Sequence, residues 1–362
     1  MKNHITALRR CVAALILTLL PFTGLCRDRD QESVNREIFA RTLEAVSGAA
    51  DAPMGELVVR IAESFMDTPY VGGTLEVEPE VLRICMDKTD CILFVEMCTC
   101  LALTFKGVDL AVAGRDGAVK CVAPSRHGTV KDGTVQEVAP SRHGTVKDGT
   151  VQGVASSRHG TVKDGTLRDG TTDRALRDGT VTDRALRAVP SYELLRRNVQ
   201  AMRYRRGIVD GYASRIHYTS EWILQAERMG IMEEFSGELG VEYGQAFGFM
   251  SAHLDSYAQM RDKAAREAIA AVEKELETHA PFHFVPQERL RDASVAAQIH
   301  DGDIIFLMSR AKGLDIAHVA IARRVDGELH FIHASSKAGK VILEPRTLAD
   351  YAANGIRVAR LL

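Results

Sequence analysis

The chain has almost no net charge, few aromatics and no long apolar run beyond residue 20. Lysine and arginine number 46 against 48 aspartate and glutamate, a formal charge of −2 over 362 residues. That balance supplies no field to hold nucleic acid or an anionic membrane, and neither is expected as a partner. No later run is long enough to cross a bilayer, so the mature chain is expected to have no transmembrane segment. No His-Glu-x-x-His or comparable spacing is present, and neither a metal nor another cofactor is expected. Nothing in the sequence signals an oligomeric state.

What is present begins at the N-terminus. Lys2, Arg9 and Arg10 precede an apolar run from Cys11 to Leu20, followed by Pro21 and Gly24. This is the pattern of a secretory signal peptide over residues 1–26, and export to the periplasm is expected. The alternative is a lipoprotein acylated at Cys26, but Leu25 stands where that processing demands a small residue. Of seven cysteines, Cys11 and Cys26 leave with the signal; Cys85, Cys91, Cys98, Cys100 and Cys121 remain. An odd number leaves at least one thiol unpaired. Cys98 and Cys100, two apart on a helix, diverge and are expected to be core residues.

The stretch from Met86 to Phe105 is a polar approach followed by an apolar helix. Thr89 or Asp90 is the expected N-cap, which puts Cys91 in the first turn, where the helix dipole favours a thiolate. The N–H of Cys91 is then a natural oxyanion donor. From Asp301 the chain alternates β-branched and aromatic runs with turns, including Asp326-Gly327, the pattern of antiparallel hairpins. His318 and His333 lie in these runs. A helix-borne cysteine, a sheet-borne histidine and a third polar group to orient the imidazole make up the apparatus of thiol acyl transfer. His330 competes with His333 for the third role; three residues apart on a strand, they point to opposite faces.

Read together, Tyr70-Val-Gly-Gly, Thr89-Asp-Cys91 with Phe94-Val95, Asp301-Gly-Asp, His318-Val-Ala-Ile and His333-Ala-Ser resemble the NlpC-type branch of papain-like cysteine peptidases. Thr68-Pro-Tyr-Val-Gly-Gly-Thr-Leu-Glu76 and Arg215-Ile-His-Tyr-Thr-Ser-Glu-Trp222 look, more narrowly, like its N-acetylmuramoyl-L-alanine amidase-like family of bacterial envelope proteins. The chain departs at Ile92-Leu93, where many relatives carry Ser-Gly. The resemblance implies an α+β fold with a papain-like core, the Cys91 helix packed on a C-terminal antiparallel sheet and helices inserted between them. It implies Cys91 as nucleophile, His318 as base and then acid, and His333 as the orienting group. Tyr70, Asp90, Ser220 and Trp222 are the expected substrate contacts, with Asp90 also serving as a cap. The implied substrate is peptidoglycan or a muropeptide, cut between N-acetylmuramic acid, preferentially its anhydro form, and L-alanine. Cleavage between γ-D-glutamate and the diamino acid, or wall binding without catalysis, are the alternatives.

The expected organisation is a signal (1–26), the nucleophile region (27–115), an insertion (116–187), a helical middle (188–300) and the histidine-bearing sheet (301–362). Within the insertion, Ser-Arg-His-Gly-Thr-Val-Lys-Asp-Gly-Thr starts at Ser125, Ser141 and Ser157, a period of sixteen. Leu-Arg-Asp-Gly-Thr follows at Leu167 and Leu176, and no Phe, Tyr or Trp occurs between 116 and 187. Such a segment buries too little apolar surface to offset the entropy of ordering it, and is expected to be a low-complexity excursion. In the helical middle, helices are expected from Tyr192 to near Gly207, from Tyr218 to Met229 with Thr219 or Ser220 as cap, and from about Met260 to Thr278. The basic cluster Arg203, Arg205 and Arg206 is expected on a solvated face.

Overall fold

In the computed structural model, residues 28–49, 51–111 and 189–362 are described. The signal at 1–26, Cys26, Cys121 and the repeats of 116–187 lie outside the described residues. Three helices come first: α1 (Asp28–Val46), α2 (Met54–Ser64) and α3 (Cys91–Phe105). Helix α4 (Tyr192–Arg203), α5 (Thr219–Arg228) and α6 (Lys263–Glu277) form the middle. No helix of the described residues is long and apolar enough to cross a membrane.

The described residues contain eight strands: β1 (Met232–Glu234), β2 (Val241–Tyr243), β3 (Phe282–Phe284), β4 (Ile304–Met308), β5 (Ile316–Val325), β6 (Glu328–Ser335), β7 (Lys340–Leu343) and β8 (Ile356–Leu361); β4 to β8 lie in the alternating stretch from Asp301, whereas β1 to β3 fall within the middle expected to be helical. Six of them make one antiparallel sheet in the order β1-β8-β4-β5-β6-β7, and β2 pairs with β3. The fold is α+β. Strand β4 is buried at every residue because both faces of the sheet are covered. Ile304 and Phe306 join the core under α3, whereas Ile305 and Leu307 join a second core with Leu290, Val295 and Leu348. The β5–β6 hairpin turns at Asp326-Gly327, both at positive φ (51° and 88°), as a two-residue turn matched to strand twist requires.

The helix starts show where local reading worked and where it did not. Asp90 caps α3, its carboxylate accepting from Leu93 N at 2.9 Å. Helix α6 starts at Lys263, capped by Asp262, rather than at Met260. Neither Thr219 nor Ser220 caps α5; Asp315, from the β4–β5 loop, accepts from Ser220 N at 2.6 Å instead. The basic cluster is not a solvated face either. Arg203 is buried against Glu96, with Nε to Oε1 at 3.0 Å, and Arg205 pairs with Glu221. Only Arg206 is exposed, at a positive φ of 57°.

The two chain ends that flank residues 112–188 are pinned together. Asn198 on α4 accepts from Leu110 N (2.9 Å) and donates to Thr104 Oγ1 (3.0 Å) and Val108 O (2.9 Å). Beside it, Arg197 and Asp109 form an ion pair at 2.8 Å.

Candidate active site

The β5–β6 ladder runs from Val325–Glu328 to Ile321–Ile332, and past that point β6 pairs with β7 as far as Ser335–Lys340. His318 and His333 sit beyond the last β5–β6 pair, one on each strand. Alternation puts them on one face of the sheet, with Ala320 and Phe331, and their rings meet: His318 Nε2 lies 2.6 Å from His333 Nδ1. His330 is not part of this pair. It faces the other way, and its Nδ1 lies 3.0 Å from Glu344 O.

Cys91 opens α3 beside Val319, the residue after His318. The N–H groups of Val319, Ile92 and Cys91 itself all face its sulfur. Tyr70 is held alongside by a parallel bridge to Thr89, with Val71 N donating to Thr89 O at 2.8 Å. Cys91 lies close enough to Tyr70 and Tyr351 for a thiolate there to raise both phenols, and the Tyr351 ring lies 5.9 Å from that of His333. Cysteine, tyrosine and both histidines therefore meet where β5 and β6 part.

The electrostatics differ from the expectation of a thiolate. Burial, with the Asp90 carboxylate beside it, pushes the half-buried Cys91 thiol up to about 12, against the pull of the surrounding N–H groups. Burial likewise pushes Tyr70 up to about 12. Burial lowers His318 to about 3, helped by neighbouring His333, and lowers His333 to about 4 despite nearby Glu344. At neutral pH the resting site is a neutral thiol and two neutral imidazoles. Replacing Asp90 by asparagine keeps a side-chain cap and removes the charge. Asp90→Asn is expected to speed iodoacetamide capture of Cys91 at pH 8 by about three- to tenfold, a shift of up to one pKa unit. An unchanged rate would show that Asp90 has no hold on the thiol.

Beside Cys91 lies a cavity of about 270 Å³. Asp90, Ile92 and Val319 border it, so it adjoins the thiol; His217 lines it, whereas His318 and His333 do not. Its wall combines aromatic rings, Tyr212, Tyr218, Trp222, Phe249, Tyr257 and Phe306, with the charged Glu76, Asp90, Glu96, Arg203 and Arg215. Two donors there, Trp222 Nε1 and Tyr212 OH, are buried without a hydrogen-bond partner, while Arg215 Nε faces Glu80 Oε1 at 3.5 Å. Of the residues expected from sequence, Asp90 and Trp222 reach this wall and Tyr70 flanks the thiol. Ser220 does not. It is fully buried behind the wall, its N–H held by Asp315 and its Oγ accepting from Arg357 Nη1 at 2.6 Å. Proximity in sequence to Trp222 misled there, because successive helical residues point in different directions.

Sequence reading missed Glu344. Its Oε2 lies 3.5 Å from His333 Nε2, which has no hydrogen-bond partner, and its Oε1 accepts from Arg346 Nε at 2.8 Å. A Glu between Leu343 and Pro345 looks like a turn residue; only the β6–β7 register brings it to His333.

Residues 180–356 match the model of the AmiA-like family, described as N-acetylmuramoyl-L-alanine amidase-like. The match contains His318 and His333 and begins after Cys91. Among solved structures, an N-acetylmuramoyl-L-alanine amidase from Bacteroides uniformis is 24% identical with a TM-score of 0.60, over 85% of this chain and 99% of that one. A Bacteroides fragilis protein provisionally named a xylanase is 27% identical with a TM-score of 0.54, over 83% and 98%. The first of these likenesses concerns the fold. No curated protein matches.

Proposed function

Because the chain matches the N-acetylmuramoyl-L-alanine amidase-like family through residues 180–356, we propose that it is an exported cysteine amidase of papain-like, NlpC-type design. It cleaves the bond between the lactyl group of N-acetylmuramic acid and the L-alanine of the peptidoglycan stem. The observation that carries the reading is a thiol at a helix start beside a buried imidazole pair: Cys91 next to Val319, and His318 bonded to His333 at 2.6 Å. Cys91 is the nucleophile, His318 the general base and then acid, and His333 the group that orients it.

The neutral resting state sets the order of events. Cys91 Sγ attacks the lactyl carbonyl carbon while His318 removes the thiol proton, so deprotonation accompanies attack instead of preceding it. A C–S bond forms and the carbonyl pair moves to oxygen, where the N–H groups of Cys91 and Ile92 at the open end of α3 stabilise it. Collapse breaks the C–N bond as His318 returns its proton to the departing amine of L-alanine. Water, deprotonated by His318, then attacks the thioester, releasing the muramyl carboxylate and the thiol.

The cavity beside Cys91 suits the sugar. Its aromatic side chains match the C–H faces of a pyranose ring, and the Trp222 N–H and Tyr212 hydroxyl suit ether and acetamido oxygens. An anhydro-muramyl ring, whose reducing end is closed on itself, is the compact form that such an enclosure favours. Glycoside hydrolysis, which the name of the Bacteroides fragilis protein raises, calls for two available carboxyls. In this wall Glu96 is bound by Arg203 and Glu76 by Arg215 at 2.9 Å. One observation favours a second reading: Asp90, which no arginine among the described residues binds, faces the cavity and would hold a free stem ammonium if an endopeptidase cut after γ-D-glutamate.

The test is mass spectrometry of purified anhydro-muropeptides and reducing muropeptides after incubation with the protein. Release of the intact stem from the sugar, blocked by a thiol alkylator and untouched by a chelator, is the expected result. Products cut within the stem would move the specificity to the second reading, and no product from either substrate would refute both.

A further inference from the structure

We propose that Glu344 is a positioning residue that fixes the tautomers of the His318–His333 pair, making Nδ1 of His318 the nitrogen that receives the Cys91 proton. The inference rests on the thiol reading above for its catalytic meaning, but its core statement concerns only where two protons reside.

Both imidazoles are neutral, so each carries one N–H, and the 2.6 Å contact between His318 Nε2 and His333 Nδ1 allows two arrangements. In the first, His318 Nε2–H donates to His333 Nδ1. His333 then carries its proton on Nε2, facing Glu344, and His318 Nδ1 is bare. In the second, His333 Nδ1–H donates to His318 Nε2. The lone pair of His333 Nε2 then faces Glu344, and His318 Nδ1 is already protonated and useless as a base.

The carboxylate decides between them. Glu344 is 6% exposed, and although burial opposes its ionisation, the hydrogen bonds and charge of Arg346 hold it below the ordinary carboxylate range. Arg346 is itself stacked on Tyr351, 4.3 Å from the ring centroid. An anion 3.5 Å from His333 Nε2 attracts an N–H there and repels a lone pair. The other titratable groups nearby are Cys91 at the start of α3, with Asp90 and Tyr70 beside it, and Tyr351, whose ring lies 5.9 Å from that of His333. The site thus has four members, Cys91, His318, His333 and Glu344, each setting the proton of the one before.

The isosteric variant makes the test sharp. In Glu344→Gln, Arg346 Nε still donates to the atom at the Oε1 position, which selects the amide oxygen there and turns the amide NH₂ towards His333 Nε2. The second arrangement then becomes the favoured one. Nitrogen-15 NMR of the imidazoles should show Nε2-protonated His318 and His333 in the parent, and Nδ1-protonated forms in Glu344→Gln. With substrate, kcat should fall about a hundredfold or more while KM stays within about threefold, as expected of a wrong tautomer. Adding Arg346→Met frees the amide to rotate, and should recover a large part of both signals. Parent tautomers in Glu344→Gln, or a parent tautomer opposite to that stated, would overturn the proposal whether or not the substrate assignment holds. If the parent cleaves no muropeptide, the spectra alone decide it.

Discussion

Cys91→Ala is expected to lower the amidase rate by about 10⁴-fold or more, since nothing else at the site can take the place of the sulfur. The imidazole of His318, held near 3 by burial, is too weak a base to activate water directly against an amide. Tyr70, pushed up to about 12, is no nucleophile at neutral pH. Cys91→Ser should be nearly as inactive, because a hydroxyl is harder to deprotonate than a thiol and this base is already weak. Neither substitution removes a large buried group, so melting temperature should barely change. Initial rates by liquid chromatography, alongside a thermal melt, check both halves. A variant rate within tenfold of the parent, with the fold intact, would mean that Cys91 is not the nucleophile.

The second large effect concerns stability. Arg203→Leu is expected to destabilise the protein by about 3–5 kcal/mol, because it leaves Glu96 charged and unpaired inside the core. Arg203 and Glu96 are 4% and 2% exposed, and Arg203 also donates to the carbonyl of Arg83. In a domain of this size that corresponds to a fall in Tm of about 6–20 °C. Arg203→Leu combined with Glu96→Leu should regain most of the loss, since an apolar pair of similar volume has no desolvation penalty to offset. The contrast is Arg36, which bridges Glu32 and Glu193 while half exposed; its replacement by alanine should leave the urea midpoint nearly unchanged. Urea titrations of the parent and the three variants decide the matter. Equal losses at Arg203 and Arg36 would contradict the assignment of Arg203–Glu96 as an internal strut.

These two residues also mark the limit of what a sequence shows. The start of α3, the β5–β6 hairpin and the alternation of β4 were legible because cap chemistry, an Asp-Gly turn and a period of two are local rules. Cys91, His318 and His333 were legible because their order and spacing are distinctive, and strand alternation separates His333 from His330. Arg203 was misread because its partner lies 107 positions away in sequence. Asp315 as the cap of α5, and Glu344 behind His333, depend on loops folding back onto other elements. The expected thiolate failed for a related reason: a dipole is visible in a helix start, whereas the burial that outweighs it depends on everything packed around it.

The clasp at Asn198 bears on how this chain can change over generations. Leu110 and α4 are fastened to each other by the amide of Asn198 and by the Asp109–Arg197 pair, upstream and downstream of the tandem repeats. Copying or losing a sixteen-residue unit alters the length of what is strung between two fixed posts and leaves the posts where they were. Each such event is expected to leave the registration of α3 against β5 unchanged. Chains that otherwise match are then expected to differ in that number while keeping Asn198.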